Sequence, residues 1–215
     1  VETPMMQPLA GGAAARPFQT QHNALDMSLY LRIAPELYLK RLLVGGMRRV
    51  YEINRNFRNE GVSRRHNPEF TMLEAYQAFG DCETMLTLTE GMVREGAKVV
   101  GDPTAITYGD HTINYAEPFE RIAYGTLFEN AVGISMSDEE AVRAKAAELH
   151  ITDAEKRNHW LLVGDVFEEV AEGAIDPSRP TFVTDFPSAI SPLTRPHADD
   201  PTLSHRWELF IAGME

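Results

Sequence analysis

Residues 50–79, VYEINRNFRNEGVSRRHNPEFTMLEAYQAF, carry the most informative pattern in this chain. Their side chains alternate between two faces, and this period of two predicts a pair of strands joined by a short loop. Either bulk water or a polar ligand would accommodate the unusual polar face of the first strand. That face holds Glu52, Asn54, Asn56, Arg58 and Glu60.

The second strand and the loop add further functional groups to this hairpin. The loop GVSRRHN, residues 61–67, contains two arginines and a histidine. One face of the second strand holds Phe70, Met72, Glu74 and Tyr76. If the two strands pair, an arginine, an aromatic ring and several carboxylates line one shallow floor, which would suit a polar ligand.

The composition is that of an ordinary globular protein. Hydrophobic residues make up 43% of the chain and charged residues 24%. The length of 215 residues is enough for one large domain or two small ones. No apolar run approaches the ~20 residues of a membrane span, and no signal peptide is visible. The single cysteine, Cys82, excludes an internal disulfide and indicates a reducing compartment, so we expect a cytoplasmic protein. Because the chain has no initiator methionine and starts in a strand-like run, we expect it to be a fragment.

The charge is unevenly distributed along the chain. The formal net charge of −12 argues against a protein that coats nucleic acid. Eight of the twenty Lys and Arg residues nevertheless fall between residues 40 and 65. This local excess favours a small anionic ligand, or one end of a nucleic acid, at the hairpin. A solvated basic edge strand is the alternative, and the charges alone do not distinguish the two.

Hydrophobic periodicity predicts strands towards both ends of the chain and helices between them. This order indicates an α+β fold with an antiparallel sheet. The sequence contains neither a P-loop nor a G-x-G-x-x-G motif, and no Cys/His metal cluster. The predicted helices cover residues 35–44, 81–100, 137–149 (with Ser137 and Glu140 as a capping box) and 160–174. The predicted strands lie at 29–34, within 103–115, at 180–187 and at 207–211.

The segment FRNEG…HNPEFTMLEAY resembles motif 2 of the class II aminoacyl-tRNA synthetases, in the form found in the lysine enzymes. VETPMM at the start and GGAAARPF at residues 11–18 also resemble lysyl-tRNA synthetases. The resemblance implies an antiparallel sheet flanked by helices. It also implies a catalytic core over residues 1–117 with the motif 2 hairpin, a mainly helical insertion over 118–178, and return strands of the core over 179–215.

The function that this resemblance implies is ATP-dependent activation of lysine, followed by transfer of the lysyl group to tRNA(Lys). ATP would be a substrate, Mg²⁺ the cofactor and a homodimer the assembly, with no membrane involved. The family's anticodon-binding domain, the motif 1 helix and motif 3 have no counterpart here, so activity of this chain alone stays open. Two rival functions also stay open. One is a paralogue that attaches lysine to a protein, although its relatives lack GGAAARPF; the other is a non-catalytic fragment that binds an amino acid or nucleotide.

The resemblance assigns the nucleotide to the hairpin. Arg58 would bind the α-phosphate of ATP and the carboxylate of the amino acid, where charge develops in the transition state. Phe70 would stack on adenine, and His66, Asn67 and Glu60 would contact the nucleotide. The alternatives are an Arg58 that pairs with Glu60 or Glu52, a Phe70 in the core and a solvated His66.

Lysine is assigned by the resemblance to Arg58, Gly12, Glu36, Glu74 and Tyr76. Gly12 belongs to the small, flexible segment 10–16, which is either a linker or a lid over the ligand. Glu36 would cap the ammonium of the amino acid, although a carboxylate in the first turn of a helix is also favoured by the helix dipole. Glu74 and Tyr76 together suit a long-chain ammonium better than an anionic side chain. The alternative for Glu74 is an ion pair with Arg55 or another arginine.

Glu208 and Glu215 are predicted to bind Mg²⁺, and Glu208 also ATP. A two-residue turn at Ala212-Gly213 would place Glu208 and Glu215 diagonally on one face of a strand pair, about 7–8 Å apart at Cα. The two side chains could then lean together around a Mg²⁺ that also holds the phosphates of ATP. Two solvated glutamates at a sheet edge are the alternative.

Overall fold

The computed structural model describes residues 1–63 and 66–215. Contacts within the chain divide it into two compact units, Val1–Gly80 and Asp81–Glu215. Elements of the first unit are β1 (Met6–Gln7), β2 (Gln19–His22), β3 (Met27–Leu31), α1 (Glu36–Val44), β4 (Arg49–Phe57) and β5 (Glu69–Gln77). Domain boundaries at residues 117 and 178 remain a prediction.

The first unit contains the predicted hairpin. Strands β4 and β5 pair antiparallel over their whole length, with Val50 opposite Tyr76 and Asn56 opposite Phe70. Strand β3 lies between β1 and β2 in a second antiparallel sheet. Helix α1 contacts both strands of the hairpin. It follows Pro35 and ends at Gly45, as its sequence indicates.

The second unit consists of helices around a small mixed sheet. Its elements are α2 (Cys82–Val100), β6 (Ile106–Tyr108), β7 (His111–Ile113), β8 (Glu120–Ala123), α3 (Tyr124–Val132), α4 (Glu139–Glu148), α5 (His159–Val166), β9 (Thr181–Pro187) and β10 (Leu203–Phe210). A π-helical turn, Phe167–Ala171, continues α5. Its main core packs α3, α4, α5 and the π-helical turn against β9 and β10 around buried Phe128, Val163, Val183 and Phe210.

The mixture of helices and antiparallel pairs agrees with the predicted α+β class, but two details differ. Among the described residues the strands form four sheets, and the pair β8–β9 is parallel. A parallel pair requires a crossover connection, and helices α3, α4 and α5 supply it. The expectation of an antiparallel sheet therefore fails at this pair.

Helix caps follow local side chains, with one shift from the prediction. Asp81 caps α2 by accepting a hydrogen bond from the Thr84 amide at 2.8 Å. Helix α4 is capped by Asp138, which accepts from the Ala141 amide at 3.0 Å, and not by Ser137. Within the described parts of the chain, no helix is long and apolar enough to cross a membrane.

Candidate active site

The hairpin buries its polar face and exposes its apolar one. Glu52 is 1% exposed and Asn56 is 0% exposed, whereas Tyr51 and Ile53 on the other face are 61% and 58% exposed. Burial of polar side chains is costly unless they have partners or bind a ligand. The polar face predicted from the sequence is therefore turned inwards, where a ligand can use it.

Nearly all of the residues assigned to the nucleotide line one cleft. The cleft has a volume of about 490 Å³ and is formed by Arg58, Glu60, Gly61, His66, Asn67 and Phe70. The guanidinium carbon of Arg58 lies 5.2 Å from the centroid of the Phe70 ring, within the range of a cation–π contact. A cation beside an aromatic face can bind a phosphate and a base together. Arg64 and Arg65 lie outside the described residues, so their predicted part in the loop stays a prediction.

Arg58 is available to a ligand. Among the described residues it forms no ion pair with Glu60, and Glu52 pairs with Arg32 instead. The Arg58 Nε atom is buried and has no hydrogen-bond partner in the described chain. The structural alternatives considered for Arg58 are therefore wrong.

The tip of the hairpin is held by its own hydrogen bonds. His66 Nδ1 lies 2.9 Å from Ser63 Oγ, and the His66 amide donates to the same oxygen at 3.1 Å. The Arg58 amide donates to the Pro68 carbonyl at 2.9 Å. These contacts hold the loop end beside the cleft, although the His66 side chain is exposed, so its contact with the nucleotide stays a prediction.

Glu74 and Tyr76 form a preassembled pair. The Tyr76 hydroxyl donates to Glu74 Oε2 at 2.7 Å. Burial raises the pKa of Glu74 and also that of Tyr76, whose hydroxyl is further held in its protonated form by the Glu74 carboxylate. Arg55 pairs with Glu69 on the opposite face, at 3.7 Å, and among the described residues Glu74 forms no ion pair with any arginine. Glu74 keeps oxygen lone pairs for a cationic ligand.

Glu36 and Gly12 lie next to each other near this pair. The negative charge of Glu36 raises the pKa of both Glu74 and Tyr76, which places a second carboxylate close to them. The ammonium group of Lys40, one turn further along α1, donates a hydrogen bond to Glu36. Glu36 therefore lies in the first turn of α1 and forms an ion pair with Lys40, and its binding of a substrate ammonium stays a prediction.

Gly12 permits a close approach that other residues would prevent. Its φ is +92°, and a Cβ atom there would lie 3.2 Å from the Cβ atoms of both Ala34 and Glu36. We expect Gly12→Ala to weaken lysine binding by about 1–2 kcal/mol, because a side chain in left-handed backbone is strained by that amount and would displace Glu36. Calorimetric titration with lysine measures the loss. The neighbouring Gly11→Ala, whose Cβ would meet only the flexible end of Leu37, serves as the control. Equal affinities in both variants would contradict a role for Gly12.

In the second unit, Glu208 and Glu215 are brought together by the predicted turn. Ile211 and Met214 exchange backbone hydrogen bonds of 2.8 and 3.1 Å. Ala212 and Gly213 between them have φ values of +54° and +72°. Both glutamates line a cavity of about 270 Å³. The Glu208 side chain is only 16% exposed, whereas Glu215 is exposed, so the alternative of two solvated glutamates applies only to Glu215.

The two carboxylates influence each other electrostatically. Burial raises the pKa of Glu208, Arg206 opposes the rise through an ion pair, and Glu215 adds to it. Within the described residues no group of three or more His, Cys, Asp and Glu side chains could hold a metal ion. Glu208 and Glu215 fit the oxygen preference of Mg²⁺, but further oxygens would have to come from the nucleotide or water.

Two arginines beside these sites were not singled out from the sequence. Arg32, at the end of β3, is 1% exposed and forms a buried ion pair with Glu52. Arg206 lies over the Phe186 ring at 4.5 Å and pairs with Glu208. Their partners are remote in sequence or lie in an irregular part of β10, so no local pattern reveals these contacts.

The hairpin, with Arg58 beside the Phe70 ring, agrees with the motif 2 that the sequence predicts. Residues 1–215 match the family of class II tRNA synthetases (D, K and N), and the chain belongs to this family. Among curated proteins it is 52% identical over 218 residues to a lysine–tRNA ligase of Carboxydothermus hydrogenoformans. It is 47% identical over 219 residues to a heat-inducible lysine–tRNA ligase of Escherichia coli K12. These alignments cover 100% of this chain but only 44% and 43% of the two relatives. The resemblance to class II lysyl-tRNA synthetases is thereby confirmed.

Proposed function

We propose that this chain carries the site at which a cytoplasmic, homodimeric lysine–tRNA ligase activates lysine with ATP before transferring it to tRNA(Lys). The proposal depends above all on one observation. Arg58, which has no ion pair among the described residues, and Phe70 line a nucleotide-sized cleft, and Glu74 and Tyr76 lie on the same face of the hairpin. The names of the relatives, lysine–tRNA ligases, support lysine as the amino acid.

The residues of the hairpin suggest how the first step proceeds. The carboxylate of lysine attacks the α-phosphorus of ATP and displaces pyrophosphate, which yields lysyl-adenylate. Arg58 holds the attacking carboxylate and the α-phosphate together and stabilises the charge that develops on the phosphate. No protein nucleophile is needed, because positioning and charge stabilisation supply the catalysis of phosphoryl-type transfers.

Selectivity for lysine follows from the negative charge of the pocket. The ε-ammonium group of lysine would bind Glu74 and Tyr76, and its α-ammonium group would bind Glu36, the carboxylate that Lys40 contacts. The Gly12 backbone, packed against Glu36, would cover the ligand. Mg²⁺, the proposed cofactor, would be held by Glu208 and Glu215 in the second unit, because carboxylate oxygens suit it.

Ligand titration tests this proposal. We expect calorimetry to detect lysine binding in the presence of ATP, much weaker arginine binding and no aspartate binding. Lysine should bind more weakly as the pH falls, because protonation of Glu74 removes the charge that the ammonium needs. An ordinary glutamate has a pKa of about 4.3. Because the pKa of Glu74 is raised, the loss of lysine affinity should begin at a higher pH than it would with an ordinary glutamate.

A matched variant and a rate measurement complete the test. Glu74→Gln should bind lysine roughly tenfold more weakly, about 1.4 kcal/mol, and should lose most of the pH dependence. Aspartate binding as tight as lysine binding would overturn the assignment of the pocket. Lysine binding without any lysine-dependent pyrophosphate exchange in the full-length protein would favour the non-catalytic alternative.

A further inference from the structure

A buried ion pair lies directly behind the proposed lysine pocket. Arg32 Nη1 donates to Glu52 Oε1 at 2.8 Å, and each residue is 1% exposed. Arg32 Nε also donates to the Arg55 carbonyl at 2.9 Å, so the guanidinium is anchored to strand β4. Buried charges require such partners, because desolvation is not repaid otherwise.

Glu52 stands opposite Glu74 across the hairpin. The two residues are paired in the register of β4 and β5, so their side chains share one face, with Cβ atoms about 4.5–5.5 Å apart. Two carboxylates in that position repel each other unless a nearby cation offsets the repulsion. Arg32 is this cation, because its positive charge acts on Glu74 and its ion pair engages Glu52.

The hydrogen bonds of the two carboxylates differ sharply. Glu52 accepts from Arg32, from the Thr3 amide at 3.0 Å, from the Thr3 hydroxyl at 2.6 Å and from Asn54 Nδ2 at 3.1 Å. Burial alone would raise the pKa of Glu52, but these hydrogen bonds outweigh burial and lower that pKa. Glu74, by contrast, has Tyr76 as its hydrogen-bond donor.

Arg32 has donor capacity to spare. Its Nη2 atom is buried and makes no hydrogen bond within the described residues. A guanidinium keeps its positive charge in a protein. If Glu52 lost its negative charge, the carboxylate opposite, Glu74, would be the natural partner for this arginine.

We propose that Glu52 is a positioning residue that keeps Arg32 engaged, so that Glu74 stays free to bind the side-chain ammonium of the substrate. This inference rests on the proposed function, and it adds how the pocket distinguishes a cationic side chain from a neutral one of the same shape. Glu52 touches no substrate in this mechanism. It acts through Arg32 on the carboxylate that does.

Lysine and norleucine separate this role from a general structural one. Norleucine is lysine without the side-chain ammonium, so it probes the rest of the pocket. In the full-length protein we expect Glu52→Gln to raise the dissociation constant of lysine roughly tenfold and to leave that of norleucine within about twofold, because Arg32 then neutralises Glu74. Calorimetry at slightly alkaline pH, which favours the ionised form of Glu74, gives both constants.

Two further variants make the experiment decisive. Thr3→Val removes hydrogen bonds from the same network without changing its charge, so it should lower stability but keep the preference for lysine over norleucine. Arg32→Met combined with Glu52→Gln removes the arginine that would compete with the substrate ammonium for Glu74. This double variant should restore the preference for lysine over norleucine. This double variant also replaces a buried ion pair as a whole, which folds more readily than a pair with one partner missing.

The outcomes separate this inference from the proposed function. Equal losses for lysine and norleucine in Glu52→Gln, or a double variant that keeps the weakened preference for lysine, would overturn the role of Glu52. Even if Glu52→Gln alone does not fold, a double variant without the wild-type preference for lysine would overturn this role. A wild-type protein that binds lysine no better than norleucine would instead refute the proposed function.

Discussion

Arg58→Ala is expected to lower lysine-dependent pyrophosphate exchange by roughly 10²–10³-fold. This corresponds to about 2.7–4 kcal/mol of barrier, the cost of removing one preorganised donor from a developing negative charge. The structure supports a large effect because the described residues offer Arg58 no ion pair, while its guanidinium lies against Phe70 within the cleft. The full-length protein is the appropriate material for the assay. The fold should survive, since the substitution removes a buried nitrogen, Nε, that has no partner in the described chain.

Arg55→Ala is the matched control for Arg58→Ala. Arg55 is on the same hairpin, but its side chain is 54% exposed on the opposite face, where it pairs with Glu69. An exposed ion pair of this kind contributes about 0–1 kcal/mol, so exchange should stay close to the wild-type rate. Near-normal exchange in Arg58→Ala would mean that this arginine does not hold the reacting groups.

Local pattern was sufficient to predict the hairpin. Alternation with a period of two and the turn-forming loop predicted both strands and their shared face, because strand geometry imposes that period regardless of what packs nearby. The same pattern could not reveal which face is buried. Thr3 and Arg32, which supply most of the hydrogen bonds of Glu52, are remote from it in sequence and come from outside the hairpin.

Long-range pairing limited the prediction in the second unit. Strands β8 and β9 are parallel because a helical crossover joins them, and neither strand carries a local signal of its partner. At α4, Ser137 with Glu140 satisfies the spacing of a capping box, yet Asp138 one residue later is an equally good cap. Propensity therefore located this helix but not its first residue.

In the candidate site, too, local features were predicted and some contacts were not. The roles of Arg58, Phe70 and Glu74 depended on a motif, and the structure shows that these side chains share one face of the hairpin. Gly213 predicted the turn that brings Glu215 back towards Glu208. The ion pair of Glu208 with Arg206 lies beside a bulge in β10, where the alternation that would place both residues on one face is interrupted.

The last prediction concerns the Glu208–Glu215 pair. We expect Glu208→Gln and Glu215→Gln each to weaken Mg²⁺-dependent ATP binding by at least about 100-fold, or about 2.8 kcal/mol. The reason is that each substitution removes one of two carboxylate ligands from a cation that prefers anionic oxygens. Lysine binding in the absence of ATP should change little. Titrations with ATP at several Mg²⁺ concentrations measure the effect, and Glu169→Gln on the neighbouring π-helical turn is the charge-matched control.

The double variant and the stability of each single variant identify the cause of any loss of ATP affinity. If both glutamates hold a common ion, removing either one already opens the site, so Glu208→Gln/Glu215→Gln should be little worse than each single variant. Glu208→Gln should also lower the free energy of unfolding, because Arg206 loses its carboxylate, whereas Glu215→Gln should not. Losses of ATP affinity that add, or that persist without Mg²⁺, would show that the two residues act separately. Suppose that only Glu208→Gln loses ATP affinity, and that this variant is also less stable. The cause would then be the broken ion pair with Arg206 and not the loss of a metal ion.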